Sequence, residues 1–106
     1  MWLKRWRRRY FSLQGRILCF SKDNNSNPHG LIDLTECKEV ISIENGKVPT
    51  KYAFQLNFKK ESYSLCADTE EDKRIWMEAV SKIIESTSHG VQKMFSSDID
   101  IMYDEW

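Results

Sequence analysis

Apolar residues in this chain alternate with polar ones as far as residue 67 and then switch to helical spacing. That change of period constrains the fold more than any other feature, because a two-residue repeat makes half-buried strands and a 3.6-residue repeat makes an amphipathic helix. Strands are predicted at 5–13 and 16–21, separated by a tight turn at Gln14-Gly15. Residues 23–28 (DNNSNP) read as a loop. Further strands are predicted at 30–34, 39–43 (stopped by Asn45-Gly46), 52–58 and 62–67. In 52–58, Tyr52, Phe54, Leu56 and Phe58 share one face.

Ile75, Trp76, Ala79, Val80, Ile83 and Ile84 then recur at helical spacing, which predicts one helix over 69–86. Asp68 or Thr69 caps its start, and Asp68-x-x-Glu71 has capping-box spacing. Glu70, Glu71 and Asp72 fall in the first turn, where the helix dipole favours acids. Strands in series followed by one helix predict a mainly β fold, α+β by content. Beyond Ser86-Thr87-Ser88-His89-Gly90 the chain reads as an acidic C-terminal tail, which divides it into a domain at 1–88 and a tail at 89–106.

The 106 residues suffice for one domain. No apolar run approaches the ~20 residues that a membrane-spanning helix needs, and no apolar stretch after the basic N-terminus reads as a secretory signal. Cys19, Cys37 and Cys66 are odd in number and far apart, which argues for a reducing, cytoplasmic setting and against a disulfide framework. The formal net charge of zero hides a polarity. Residues 1–22 hold seven bases and no acid, net +7, whereas 23–106 hold nine bases and sixteen acids, net −7. A basic end of this kind reads as a surface for phosphates on lipid or nucleic acid; the plainer reading is a solvated charged strand.

Catalytic chemistry is hard to assemble. His29 and His89 have no ligand-spaced partner, and no phosphate loop or nucleophile elbow is present. The cysteines read as core or strand residues. The sequence is therefore expected to encode no enzyme, and to use no metal and no cofactor. Strand alternation places Arg5, Arg7, Arg9, Phe11 and Leu13 on one face, and Trp6, Arg8, Tyr10 and Ser12 on the other. Phe11 and Leu13 are expected in the core, so Arg7 and Arg9 face inward near the start of the strand. An inward guanidinium is costly unless solvated or paired. A barrel open at that end would let both offer forked donors to a multiply charged anion. The alternative is that both reach solvent or pair with local carboxylates.

Three segments carry a resemblance. Residues 6–13 (WRRRYFSL) resemble the second strand of pleckstrin homology domains. Residues 28–34 (PHGLIDL) are similar to the fourth strand, and 67–76 (ADTEEDKRIW) to the start of the C-terminal helix with its tryptophan, here Trp76. The resemblance covers residues 2–86. Residues 31–40 (LIDLTECKEV) are similar to adaptor-type members that recognise phosphoinositides phosphorylated at the 3-position, and the segment from Ser86 resembles short plant proteins built from one such domain. The resemblance implies a partly open barrel of two antiparallel sheets, one end plugged by the helix, with Phe11, Leu13, Phe54, Leu56 and Trp76 in the core. It implies that Arg7 and Arg9 grip inositol phosphates, joined by His29 and by the neighbouring Lys4 and Arg5.

Two departures stand out. The family's first strand is missing or reduced to Met1–Lys4, with no room for a turn, so Lys4 does not match that strand's phosphate-holding lysine. Phe20 stands where a tyrosine often donates to phosphate. The missing strand is expected to leave a sheet edge unpaired, open to self-association or to a protein partner. The expected function is a non-catalytic adaptor module that binds phosphoinositide headgroups and is recruited peripherally from the cytoplasm to plasma or endosomal membranes. Trp2 and Leu3 are candidates to dip into the interface, with burial as strand residues the equal alternative. The alternative is a protein–protein interaction module of the same fold with little or no lipid binding. Nucleic acid is the weaker partner, because few aromatic residues interleave with the bases.

Overall fold

The computed structural model describes residues 3–44, 48–85 and 95–105; at 3, 4, 95 and 103–105 it describes the backbone alone. Among these residues, seven strands form one antiparallel sheet: β1 (Leu3–Gln14), β2 (Ile17–Ser21), β3 (Gly30–Asp33), β4 (Glu39–Ile43), β5 (Ala53–Asn57), β6 (Ser62–Cys66) and β7 (Phe95–Glu105), in the order β3-β2-β1-β7-β6-β5-β4. One helix, α1 (Glu70–Glu85), follows β6 in the chain. The expected pair of sheets is recognisable as β1–β3 and β4–β6, and β7 joins them. It pairs with β1 from Leu3↔Glu105 to Leu13↔Phe95, and with β6 at Ser64↔Met102, Leu65↔Ile101 and Cys66↔Asp100.

The local structure follows from residue chemistry. The β1–β2 turn consists of Gly15 and Arg16, one position later than the sequence suggests. Gly15 has φ +62° and no non-glycine residue among those described has positive φ, so the turn has glycine at its first central position as a II′ hairpin requires. The strand predicted at 30–34 ends at Asp33, because the Asp33 side chain accepts the Thr35 N–H at 2.9 Å and starts a short 3₁₀ turn, Leu34–Glu36. That turn buries Leu34 completely against the helix side of the core.

Of the two candidate caps for α1, Thr69 does the capping: its Oγ1 accepts the Asp72 N–H at 3.0 Å. Asp68 is engaged elsewhere. Trp76, Val80 and Ile83 form the buried stripe of α1, which lies against β4, β5 and the 3₁₀ turn. The core combines these with Phe11, Leu13, Leu18, Phe20, Ile32, Leu34, Phe54, Leu56, Leu65, Ile99 and Ile101. Among the described residues, no helix is long and apolar enough to cross a membrane.

Two expectations are corrected here. Residues 95–105 are not a tail but a strand at the centre of the sheet. The edge of β1 expected to lie open is therefore occupied by the chain itself, and the protein partner expected at an unpaired edge loses that place. The physical reason is complementarity. β1 carries Lys4, Arg5, Arg7, Arg8 and Arg9 with no acid, whereas β7 carries Asp98, Asp100, Asp104 and Glu105 with no base. β7 also supplies Ile99 and Ile101, each fully buried. Burying two isoleucines and pairing opposite charges across a ladder both favour docking over solvation.

Gly30 is fixed by a close approach. A Cβ there would press on the Phe20 ring, with Cε1 and Cε2 at 2.9 Å and Cζ nearer still. The ring has little room to retreat, because it stacks on Phe11 at 5.2 Å and lies 6.2 Å from the His29 ring. Gly30→Ala is expected to destabilise the domain by about 1–3 kcal/mol, read as a lower denaturant midpoint at unchanged slope.

Candidate functional site

β1 is longer than its hairpin partner. β2 pairs with it only from Tyr10↔Ser21 to Gln14↔Ile17, so residues 3–9 overhang β2 and have β7 as their strand neighbour. The overhang carries all five bases of β1. The β2–β3 loop, residues 22–29, leaves β2 at the same end; it is exposed throughout and contains Lys22 and His29.

Cross-strand partners in an antiparallel ladder share a face, so the register sorts the arginines. Arg7 lies opposite Ile101 and Arg9 opposite Ile99, on the face that continues into Phe11 and Leu13. Both arginines are half-buried. The Arg9 guanidinium donates to the carbonyl of Arg8 at 2.8 Å. Arg5, opposite Tyr103, is exposed. Lys4 pairs in register with Asp104, and its side chain lies outside the described residues, as does Trp2. His29 is exposed, its backbone N–H held by the Phe20 carbonyl at 2.7 Å. Phe20, in place of a tyrosine, offers no hydroxyl and is 8% exposed.

Arg8 points the other way, opposite Asp100. It donates through two nitrogens to Asp68 at 3.0 and 2.5 Å and lies 3.5 Å from Asp100 and 3.9 Å from Asp98. The hydrogen bond from Arg8 holds the Asp68 carboxyl below its ordinary range. Asp100 behaves oppositely: burial pushes it up, and the attraction of Arg8 offsets this only in part. The Arg8 guanidinium is itself shifted further up by its bond to Asp68. On the same outward face, the Tyr10 and Ser96 hydroxyls are hydrogen-bonded.

A cleft of about 180 Å³ beside this face is lined by Tyr10, Ser12, Gln14, Cys19, Phe20, Ser21, Asn24, Ser26 and Pro28. Among the described side chains, Arg5, Arg7, Arg9 and His29 are not part of its lining. Burial raises the thiols of Cys19, Cys37 and Cys66 above their usual value.

Sequence reasoning took Asp68 as a candidate helix cap and Ser97, Asp98 and Asp100 as part of a tail, and missed that the three acids converge on Arg8 and that Ser97 has a partner in the helix. Ser97 accepts the Trp76 indole N–H at 2.7 Å and ties β7 to α1. The available signal was the alternation Asp98-Ile99-Asp100-Ile101, a two-residue period in a segment that its acidity made look solvated.

The family model for the PH domain matches residues 1–85. The chain is 38% identical over 93 residues to Protein daughter of sevenless of Drosophila melanogaster, covering 78% of this chain and 11% of that protein. It is 30% identical over 98 residues to a PH domain-containing protein of Dictyostelium discoideum, covering 92% of this chain and 21% of that one. It is also 30% identical over 105 residues to Pleckstrin homology domain-containing protein 1 of Arabidopsis thaliana, covering 93% and 72% respectively. The chain thus spans a tenth to a fifth of the first two relatives and most of the third. With the helix-capped antiparallel sheet, these matches show that the chain belongs to the PH domain family.

Proposed function

We propose that this domain binds the phosphorylated headgroup of a phosphoinositide through Arg7 and Arg9 and is recruited by it to membrane surfaces. PH domains are a non-catalytic module family that serves membrane or protein interactions, and the proposal narrows that general role. The observation that supports it is the position of Arg7 and Arg9, on one face of the β1 overhang and across from isoleucines, not acids. Two guanidiniums about two residues apart on a strand stand ~7 Å apart, a span that suits two phosphates on one ring. His29 and Lys22, on the loop at the same end, and Arg5 and Lys4 along the overhang are the further contributors. Exposed bases near an anionic leaflet add about 1 kcal/mol each without specificity.

The test is sedimentation of the folded protein with vesicles of phosphatidylcholine alone, with phosphatidylserine, and with each phosphoinositide. Enrichment on a phosphoinositide above the phosphatidylserine level is expected. Absence of enrichment on all of them removes this reading. It would favour a protein-interaction module, which the exposed Leu31 (64%) on edge strand β3 and Ile41 (40%) on edge strand β4 support as the second reading.

A further inference from the structure

We propose that β7 is the positioning strand of the headgroup site: docking of Phe95–Glu105 and binding of a polyphosphorylated headgroup at Arg7 and Arg9 favour one another. This rests on the headgroup reading above and extends it to a segment beyond the family match, which ends at residue 85.

Three observations carry it. First, residues 3–9 of β1 have their ladder partners in β7. Three consecutive arginines repel one another and have little intrinsic reason to stay extended, so the strand that pairs with them sets their conformation. Second, the two-residue period of β7 sorts charge by face. Asp100 lies opposite Arg8, while Ile99 and Ile101, both fully buried, lie opposite Arg9 and Arg7. β7 therefore meets the outward guanidinium with a carboxylate and sets buried isoleucines opposite the two inward ones. A slip of one residue would reverse this, and two contacts oppose a slip: Ser97 Oγ with the Trp76 indole at 2.7 Å, and Tyr10 with Ser96. Third, β7 bridges β1 to β6 at Ser64–Cys66, so the overhang is anchored to the other half of the sheet through β7.

The consequence is opposite in sign to autoinhibition by an acidic segment. Acids that folded over the basic end would compete with phosphate, and removing them would tighten binding. Here Asp98 and Asp100 lie beside Arg8, and the strand that carries them helps to form the site. By reciprocity, whatever docked β7 contributes to headgroup affinity, a bound headgroup contributes to the docking of β7.

The experiment uses the full chain and a soluble inositol tetrakisphosphate as probe, with titration calorimetry and amide hydrogen exchange. On saturation of the parent protein, amides at 99–103 are expected to exchange more slowly, although their side chains are not among the proposed ligands. Ile101→Thr is expected to weaken probe binding about tenfold and to speed exchange at 3–9, while amides of Ala53–Asn57 keep their protection and so report an intact fold. Should Ile101→Thr lose that protection, Ser97→Ala is the milder variant, with the same two changes expected in smaller degree. Asp100→Asn is expected to leave probe affinity within about twofold, since its partner is Arg8. Probe binding by the parent with no change in exchange at 99–103, or equal affinity in a folded Ile101→Thr, overturns the positioning role and leaves the headgroup reading standing. Marked tightening by Asp100→Asn overturns it in favour of competition. No probe binding by the parent overturns both.

Discussion

Replacing Trp76 by alanine is expected to remove about half or more of the domain's stability. The side chain is 2% exposed and among the largest fully buried groups of the core. It meets the Phe11 ring edge-on at 6.4 Å, with an interplanar angle of 77°, and donates to Ser97 at 2.7 Å. Removing it opens a cavity between α1, β1 and β7, at a cost of about 3–5 kcal/mol for a tryptophan truncated to alanine. Loss of the indole N–H adds about 1 kcal/mol, since Ser97 must find another partner. A domain of this size has a net stability of roughly 5–10 kcal/mol, so the loss is a large share of the whole. Trp76→Phe separates the two contributions, because it keeps much of the volume and removes the donor. Its cost is expected to fall nearer ~1–2 kcal/mol. Denaturant melts of both variants decide the matter, and an alanine variant with the parent's midpoint would mean that Trp76 does not hold the helix to the sheet.

What the sequence discloses depends on how local the cause is. Strand β5 is legible because Phe54 and Leu56 sit in an alternating run bounded by turn residues, and α1 because Trp76, Val80 and Ile83 repeat at 3.6 residues. The helix cap is legible only as a choice between Asp68 and Thr69. Asp68 is drawn away by Arg8, sixty positions earlier, and no local rule anticipates that. The 3₁₀ turn at Leu34 escapes because one side-chain bond from Asp33 decides it within a segment that otherwise reads as strand. β7 escapes for the most instructive reason. Four acids in a terminal segment read as solvated when taken alone, and they become a strand only when set beside the five bases of β1. The charge polarity along the chain, which reads as a binding surface with a free tail, is in part the complementarity of two strands. The face assignment of Arg7, Arg8 and Arg9 needs nothing beyond strand period, and the observed register, Arg8 opposite Asp100 with its neighbours opposite isoleucines, follows that same alternation.

That alternation yields the largest expected effect on binding. Arg7→Ala and Arg9→Ala are each expected to weaken phosphoinositide binding by about 10- to 100-fold, because a charge-assisted hydrogen bond contributes roughly 1.5–3 kcal/mol and tenfold corresponds to about 1.4 kcal/mol. Neither substitution is expected to unfold the protein, since both side chains lie on the overhang and each removes a positive charge from a run of like charges. Arg8→Ala behaves differently. It leaves Asp68, Asp98 and Asp100 without the guanidinium that all three approach, so its effect falls on stability and leaves headgroup affinity within a few-fold. The side chain is 51% exposed, and solvent limits the loss to about 1 kcal/mol or less. The pH dependence identifies it. Arg8 lowers the folded-state pKa of Asp68, so the stabilisation it confers is present above the unfolded value of about 3.9 and is lost as pH falls through the lower folded-state value. Parent and Arg8→Ala should therefore differ in melting temperature at neutral pH and converge in acid. Vesicle titrations and melts of the three variants read both effects. Should Arg8→Ala lose the most affinity of the three, the headgroup would have to be bound on the outward face, beside the hydroxyl-lined cleft at Tyr10 and Ser12, and the assignment of Arg7 and Arg9 as its ligands would fall.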